Sequence, residues 1–520
     1  MTKPLMRKST GAAGARGMLL AAASLLAAQN CTDLTEVPKS ALTPGTAFRT
    51  TDDINAGVAA VYASLRGAPE NAYFELSEIT PNEIIVPTRG QDWYDNGRWL
   101  ELYRQTWTAN SPATLDNVNG AWNDAFTGIS RANLVLNAIE SAATSGQQQT
   151  IAELRVLRAY YYYLLMDLFG GVPIVTDTKV EPRARNSRQE VFAFIEKELT
   201  EARPALPDRA TGTAYGRVTK GAVDAILASM YLNAQVYNGT VTAAGLQRGT
   251  ARWQDAVTAA DRILNSGVYS LANKFEDNFS SANEGSTENI FVVVHVAQAG
   301  LGNTFPMRTL HYSQLPQGPW NGFAAAAETY NAFDAADARR NMWLVGPQRS
   351  FVTGQPVTDR AGAPLSFTID IKNPEQAAEN EGPRLNKYPP IPNAPANDAF
   401  PNDYVLFRLA EIYLIKAEAL NELGQTAQAI PLVNTVRARA FTPPKPLAAG
   451  LTQAQLRTAI LAERQFELAA EGKRRQDLIR AGTYTEARTF KTAQAPYKVL
   501  FPIPQTQLQT NPLLTQNPGY

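Results

Sequence analysis

The stretch AEALNELGQTAQAIPLVNTV, residues 417–436, decides the fold of this chain. Small residues recur in it where two antiparallel helices would touch, and Gly424 makes the turn between them. This spacing is typical of a tetratricopeptide hairpin. A looser second copy runs through residues 228–232 and 253–260, with an inserted loop between its helices. Because one hairpin cannot bury its apolar face alone, the sequence predicts several hairpins stacked into one helical scaffold.

Helical periodicity extends over most of the remaining chain. It predicts helices over residues 52–65, 122–136, 151–169, 188–202, 220–236, 253–265, 404–423, 427–440 and 452–481. One short β-branched run, residues 289–296, predicts a strand. Residues 80–119, 300–320 and 346–403 are rich in proline, glycine and asparagine and are predicted as loops, and the last twenty residues as extended chain. The expected fold class is therefore mainly α, a tetratricopeptide-like helical scaffold with a loop-rich, irregular ligand-binding portion.

The composition excludes several classes of function. Lysine and arginine (48) balance aspartate and glutamate (48), so the chain lacks the basic footprint of a nucleic-acid-binding protein. Two histidines and one cysteine leave little material for a metal site or for nucleophile–base catalysis. The run GTAYGRVTKG, residues 212–221, lacks the Gly-Lys-Ser/Thr ending of a phosphate loop and is predicted as a loop leading into a helix. We therefore expect no nucleic-acid partner, no metal, no cofactor and no enzymatic activity.

The single cysteine, Cys31, follows a basic segment and the apolar run MLLAAASLLAA, residues 18–28. That order is typical of a secretory signal, and the run is shorter than the roughly 20 residues of a membrane-spanning helix. It predicts a signal peptide over residues 1–30, lipidation at Cys31 and a tether over residues 31–50. Gln29 and Asn30 depart from the small residue expected just before a lipidated cysteine. The alternative is an ordinary secreted protein in which Cys31 is a free thiol.

Five segments in order resemble the SusD/RagB family, the nutrient-binding outer-membrane lipoproteins of glycan-uptake systems. They are LRAYYYYLLMDLFGGVPIV (157–175), GRVTKGAVDAILASMYLNA (216–234), YVLFRLAEIYLIKAEALNELG (404–424), ILAERQFELAAEGKRRQDLIRAG (460–482) and FPIPQTQLQTNPLLTQNPGY (501–520). Together they span nearly the whole chain after Cys31.

The resemblance implies an organisation and a function. The helical part with tetratricopeptide-like hairpins would cover residues 51–288. The C-terminal part would cover residues 289–520, with a loop-rich insertion at 300–403 and closing helices. The protein would be anchored through Cys31 in the outer membrane, facing the cell exterior. There it would capture an oligosaccharide and deliver it to a SusC-like TonB-dependent transporter, without covalent chemistry.

Three alternatives remain open. The chain could be a tetratricopeptide-type scaffold for protein interactions, or a peptide-binding lipoprotein of the same uptake class. An exported glycosidase is the third, and it requires two carboxyl groups roughly 5–10 Å apart across a cleft.

Sugar binding requires flat aromatic faces and hydrogen-bonding groups, and aromatic residues in loops are better candidates than those in helices. Two loops provide them, RGQDWYDNGRW (89–99) and LHYSQLPQGPWNGF (310–323). The candidate ligand-binding residues are Arg89, Asp92, Trp93, Tyr94, Asn96, His311, Tyr312, Trp320 and Asn321. For Trp93 and Trp320 the alternative is a structural role, capping a hydrophobic cluster beneath the loop. The four tyrosines at 160–163 point all round a helix and are expected to pack.

Glu463, Glu467 and Glu471 recur at intervals of four residues and could suggest a catalytic or metal-binding cluster. Basic residues are interleaved with them, at Arg464 and at 473–475. Oppositely charged neighbours on a helix favour ion pairing. The sequence therefore predicts that these glutamates are structural.

Overall fold

The protein is described here by a computed structural model that covers residues 48, 50–141 and 146–520. The predicted signal peptide, Cys31 and all of the predicted tether except Phe48 and Thr50 lie outside these residues. Within them, no helix is long and apolar enough to cross a membrane.

Helices make up most of the regular structure. They are α1 (Thr51–Ala63), α2 (Phe74–Glu78), α3 (Arg98–Arg104), α4 (Asn119–Ser141), α5 (Gln148–Phe169), α6 (Arg188–Ala202), α7 (Lys220–Leu232), α8 (Ala234–Tyr237), α9 (Trp253–Leu264), α10 (Phe305–Thr309), α11 (Ala327–Asn331), α12 (Leu409–Glu422), α13 (Thr426–Arg437), α14 (Gln453–Leu468), α15 (Arg474–Ala481) and α16 (Gln505–Thr510). Two π-helical segments, Ala68–Tyr73 and Thr114–Val118, precede α2 and α4.

The strands are short and form antiparallel pairs. They are β1 (Thr240–Thr242), β2 (Gly245–Gln247), β3 (Asn289–Val293), β4 (Trp343–Leu344), β5 (Gly346–Pro347), β6 (Ser366–Phe367), β7 (Arg384–Leu385) and β8 (Tyr404–Arg408). Strand β1 pairs with β2, β3 with β8, β4 with β7 and β5 with β6. The last three pairs lie in or flank the loop-rich portion, so its long loops are joined across by ladders of two to five residues.

The long helices pack against one another. Helix α5 packs between α4 and α6, α9 packs between α7 and α12, and α12 also contacts α13 and α14. The α12–α13 turn has the predicted geometry, because Gly424 adopts a left-handed φ of 78° and Ala417 and Ala429 are fully buried. The predicted mainly helical, tetratricopeptide-like scaffold is confirmed. One hydrophobic core draws on residues from both predicted parts, 51–288 and 289–520, and the boundary between those parts stays a prediction.

Several sequence-based assignments are wrong in detail. The predicted loop 300–320 contains the helix α10, and the last twenty residues, predicted as extended chain, contain the helix α16. Residues 404–408 form strand β8 rather than the start of a helix, because their aromatic and β-branched side chains pair with β3 and are all buried. The predicted helix 452–481 is two helices, since Ala470 and Gly472 between them have left-handed φ values of 59° and 74°. The predicted loop 80–119 contains the helix α3.

The tyrosine-rich stretch of α5 packs as predicted. All four tyrosines at 160–163 are buried. Tyr161 donates its hydroxyl to the carbonyl of Val61 at 2.7 Å, and the hydroxyls of Tyr163 and Ser229 lie 3.0 Å apart. The helix thereby ties α1 and α7 to the same core through the hydroxyls of Tyr161 and Tyr163.

A buried ion network surrounds the glutamates of α14. Arg408, at the end of β8, is fully buried and its guanidinium lies 2.5 Å from Glu467, 2.7 Å from Glu471 and 2.9 Å from Glu288. Arg339 reaches Glu463 and Glu467, each at 2.7 Å. The structural role of these glutamates is confirmed. The partners are not the neighbouring basic residues, however, because they come from segments up to 128 positions away.

The interleaved basic residues have other partners. Arg464 pairs with Asp477 at 2.9 Å, Lys473 with Glu411 at 3.0 Å and Arg475 with Asp167 at 2.7 Å. Sequence spacing therefore predicts that charges are paired but not which charges pair.

The network sets the ionisation of Glu467. Burial alone would raise the pKa of its carboxyl, but Arg439, Arg408 and Arg339 outweigh burial and hold that pKa well below its usual value. A group with a lowered folded pKa stabilises the protein above its unfolded pKa of about 4.3, and that contribution is lost as the pH falls through the folded pKa.

Glu467→Gln should lower the free energy of unfolding at pH 7 by about 3–5 kcal/mol, because it removes the counter-charge that the buried guanidinium groups of Arg339, Arg408 and Arg439 share. Urea denaturation followed by circular dichroism measures this. The control Glu201→Gln breaks a partly exposed pair with Arg155 and should change stability by about 1 kcal/mol or less. The difference in unfolding free energy between Glu467→Gln and the wild type should become smaller as the pH is lowered from 7 toward 3. An equal loss of unfolding free energy in Glu467→Gln and Glu201→Gln would contradict the structural role of the network.

Candidate functional site

The two loops predicted to bind ligand meet in the structure. The indole N–H of Trp93 donates a hydrogen bond to the backbone carbonyl of Trp320 at 2.5 Å, although the two residues are 227 positions apart. The first loop holds three non-glycine residues in left-handed conformations, with φ values of 61° at Trp93, 39° at Asp95 and 57° at Asn96. Such conformations are uncommon and often occur at functional sites.

The Trp93 side chain packs against other aromatic rings on one side and is half-buried overall. Its ring centroid lies 5.4 Å from that of Trp99 and 5.6 Å from that of Phe323. Gly322 lies so close that a Cβ atom there would be 2.3 Å from the Trp93 ring. Trp93 therefore caps a hydrophobic cluster, which was the alternative for it, while keeping part of its surface in solvent.

Two further aromatic residues beside Trp93 are more exposed. Tyr94 is 55% exposed and Trp320 is 38% exposed, which is unusual for side chains of this size. Asn96 is also exposed, on the same turn as Tyr94. The loops thus present aromatic surface to solvent on a backbone fixed by the Trp93–Trp320 hydrogen bond.

A polar network borders these aromatic residues. Tyr312 donates its hydroxyl to Asp92 at 2.5 Å, and Arg360 lies 3.0 Å from the same carboxylate. The Arg360 guanidinium stacks 4.3 Å from the centroid of the Tyr312 ring and also pairs with Glu379. We call Trp93, Tyr94, Tyr312 and Trp320, together with Asp92 and Arg360, the aromatic surface.

The network shifts two ionisable groups. Burial, with the hydrogen bond to Asp92, raises the pKa of Tyr312 to about 12. Burial would raise the pKa of Glu379, but the backbone N–H and guanidinium of Arg360, together with His311, outweigh it and lower that pKa. At neutral pH, Tyr312 is therefore a neutral hydroxyl and Glu379 an ionised acceptor.

Three of the predicted ligand contacts lie beneath the surface. Arg89, His311 and Asn321 are each at most 1% exposed. Arg89 donates to the carbonyls of Asn321 at 3.0 Å and Glu381 at 2.9 Å, and burial lowers its pKa to about 10. The sequence predicts that these three side chains face a ligand, but in the structure they are buried. Their polar atoms hydrogen-bond to other protein groups, so they hold the loops in place.

Similar buried hydrogen bonds hold a third loop, residues 346–403. The amide of Asn321 donates to the carbonyl of Glu379 at 3.0 Å, and its oxygen accepts from Arg384 at 2.9 Å. His311 lies 3.1 Å from the Glu379 carboxylate. The loop that carries Arg360 and Glu379 is thereby fixed against residues 310–323.

The sequence predicts the loop 346–403 but does not single out Arg360 or Glu379 within it. No local signal marks them, because their partners are distant in sequence. For the other six predicted residues, Asp92, Trp93, Tyr94, Asn96, Tyr312 and Trp320, ligand contact stays a prediction. Among the described residues, no group of three or more histidine, cysteine, aspartate or glutamate side chains is placed to hold a metal ion.

Comparison with known proteins identifies the family. A family model described as the SusD family matches residues 225–520, and a second, described as starch-binding and associating with the outer membrane, matches residues 46–232. The chain belongs to the SusD family.

The relatives align over most of the chain. SusD-like protein P2 of Formosa agariphila is 27% identical and is covered to 98%, with 95% of this chain aligned. The starch-binding protein SusD of Bacteroides thetaiotaomicron is 25% identical, with 86% of this chain and 85% of that protein covered.

Among solved structures, a laminarin binding SusD-like protein has a TM-score of 0.71 at 25% identity, covering 91% of this chain and all of that one. The surface glycan-binding protein A of Bacteroides thetaiotaomicron in complex with laminarihexaose has a TM-score of 0.71 at 21% identity, with 90% and 99% covered. The second likeness supports the fold alone.

Gly322→Ala should displace the Trp93 ring, because the new methyl group would overlap it. We expect an altered near-ultraviolet circular dichroism spectrum with unchanged far-ultraviolet signal. Gly285→Ala is the matched control, since a methyl group there meets open space. Identical near-ultraviolet spectra for Gly322→Ala and the wild type would contradict the packing of Trp93 described here.

Proposed function

We propose that the protein captures an oligosaccharide on the aromatic surface. The observation that carries the proposal is the Trp93–Trp320 hydrogen bond, which joins two distant loops and presents their exposed aromatic rings together. Aromatic faces provide large contact area at low entropic cost, which suits the C–H faces of sugar rings. Asp92, Arg360 and the hydroxyl of Tyr312 supply acceptors and donors for sugar hydroxyl groups.

The relatives indicate which ligands to test first. One solved relative is described as laminarin binding, another structure is a complex with laminarihexaose, and SusD of Bacteroides thetaiotaomicron is described as starch-binding. We therefore place β-glucan and α-glucan oligosaccharides at the head of the ligand panel.

The charge state of the surface favours binding over hydrolysis. A glycosidase needs a carboxylic acid with a raised pKa as its general acid. Here Asp92 and Glu379 both pair with Arg360, and the pKa of Glu379 is lowered. We therefore propose a binding protein rather than an enzyme.

Isothermal titration of the mature chain with laminarihexaose, maltohexaose and other hexasaccharides tests the proposal. Trp320→Ala and Tyr94→Ala should each weaken the best ligand about tenfold or more, because exposed aromatic anchors contribute on the order of 2 kcal/mol to binding.

Leu513→Ala is the matched control, since Leu513 is 52% exposed and is not part of the aromatic surface. It should leave the affinity unchanged. Binding of peptides with no hexasaccharide bound, or equal affinities for all three variants, would overturn the proposal.

We further propose that the protein is anchored by acyl chains at Cys31 and works beside a SusC-like TonB-dependent transporter in the outer membrane, facing the exterior. The sequence order before Cys31 and the family model associated with the outer membrane support this. Lipoprotein processing adds more than one chain, and two membrane signals anchor a protein stably where one acyl chain binds only at about 10⁴ M⁻¹.

Cys31→Ser should abolish palmitate labelling and move the protein to the soluble fraction, as measured by labelling and fractionation of cells. The wild type should co-purify with a large outer-membrane barrel protein after mild detergent extraction. Membrane retention of Cys31→Ser would contradict the proposed acyl anchor at Cys31. Purification of the wild type without a barrel protein would contradict the proposed association with a transporter.

A further inference from the structure

A separate cavity lies beside helix α1 and shares no residue with the aromatic surface. Its volume is about 570 Å³, within the range of roughly 300–1,000 Å³ of small-molecule sites. One wall is α1 and the turn after it, and the other is strand β3 and its continuation. The apolar lining residues are Val58, Ala59, Ala63, Leu65, Val292, Val293 and Val294, with Tyr62 and Tyr215 at the sides.

Two guanidinium groups border this apolar lining. Arg66 and Arg217 both line the cavity, and no acidic side chain is among the described residues that do so. Arg66 donates through Nη2 to the carbonyl of Val294 at 3.0 Å, which fixes it at the wall. Its Nε is buried with no hydrogen-bond partner in the described part of the chain.

Arg217 is fixed in a similar way. Its Nε pairs at 2.7 Å with Glu153, which is fully buried and is not among the described residues that line the cavity. A guanidinium has five N–H donors, so one such bond leaves donors for a ligand. The cavity thus combines an apolar interior with two held cations.

A neighbouring cavity provides an internal comparison. It shares residues 215–217 and Val292 with the first, but hydroxyl-bearing residues such as Thr211, Thr219, Tyr269 and Thr287 contribute to its lining. A hydroxylated ligand would find hydrogen-bond partners there, whereas the cavity beside α1 would leave most of its hydroxyl groups unpaired.

We infer that the cavity beside α1 binds a small amphipathic anion, an alkyl or aryl carboxylate. Its apolar body lies between α1 and β3, and its carboxylate accepts hydrogen bonds from Arg66 and Arg217. Charge complementarity selects the anion, and the valine-rich walls select the apolar body. This site is independent of the oligosaccharide surface.

The test uses the mature full-length chain and a series of straight-chain carboxylates from hexanoate to dodecanoate, which displace the fluorescent anion 1-anilinonaphthalene-8-sulfonate. Each added methylene should tighten binding about threefold to fourfold until the cavity is filled. Decanol and decyltrimethylammonium should bind at least about tenfold more weakly than decanoate, because hydrogen bonds to a charged group are lost.

Two variants locate the site. Ala59→Trp fills the cavity from the exposed side of α1 and should abolish displaceable binding. Arg66→Gln should weaken decanoate about tenfold and leave decanol unchanged. Arg209→Gln is the matched control, because it removes the same charge from the lining of the neighbouring cavity. Far-ultraviolet circular dichroism verifies that each variant is folded.

Equal affinities for decanoate and decanol would overturn the anionic part of the inference. Unchanged binding in Ala59→Trp would place the ligand elsewhere and overturn the site. Absence of any binding by the mature chain would overturn it as well. None of these outcomes alters the hexasaccharide titration.

Discussion

The pairing of buried arginines with the glutamates of α14 is the interaction on which the rest of the structure depends. Arg408 ends strand β8 and Glu288 immediately precedes β3, so their 2.9 Å contact fixes the only long strand pair among the described residues. Glu467 and Glu471 connect the same arginine to the closing helices. Isolated charges in such a place would be strongly unfavourable, so every member needs the others. The helical scaffold and the strand pair are thereby held as one body.

Arginine also orders the irregular portion, but with carbonyl groups as partners. Arg89 and Arg384 are buried and donate to backbone oxygens of residues 379–382, where regular ladders are too short to satisfy the chain. Buried backbone carbonyls need partners, and a planar guanidinium can serve several at once. This explains how three long loops hold Trp93, Trp320 and Arg360 in place without a large sheet beneath them.

The sequence predicts the scaffold well because its signals are local: Ala417, Gly424 and Ala429 lie within one hairpin. It also identifies the two loops of the aromatic surface, because Trp93 and Trp320 stand in segments rich in turn residues. It fails at residues 404–408, since a short apolar run suits a buried strand as well as a helix. It also fails for Arg360 and for the partners of Glu467, because those contacts join residues far apart in the chain. The sequence fails to predict the burial of Arg89 and Asn321 for the same reason.

We propose that one oligosaccharide-binding surface arises where the loops 89–99 and 310–323 meet, with Arg360 at its border. A crystal structure of the mature chain with its tightest-binding hexasaccharide tests this most directly. We expect sugar rings stacked on Trp320 and Tyr94, with hydroxyl groups hydrogen-bonded to Asp92 or Arg360 and little movement of the loop backbone. A hexasaccharide bound in either cavity along strand β3, with the aromatic surface left in solvent, would contradict it.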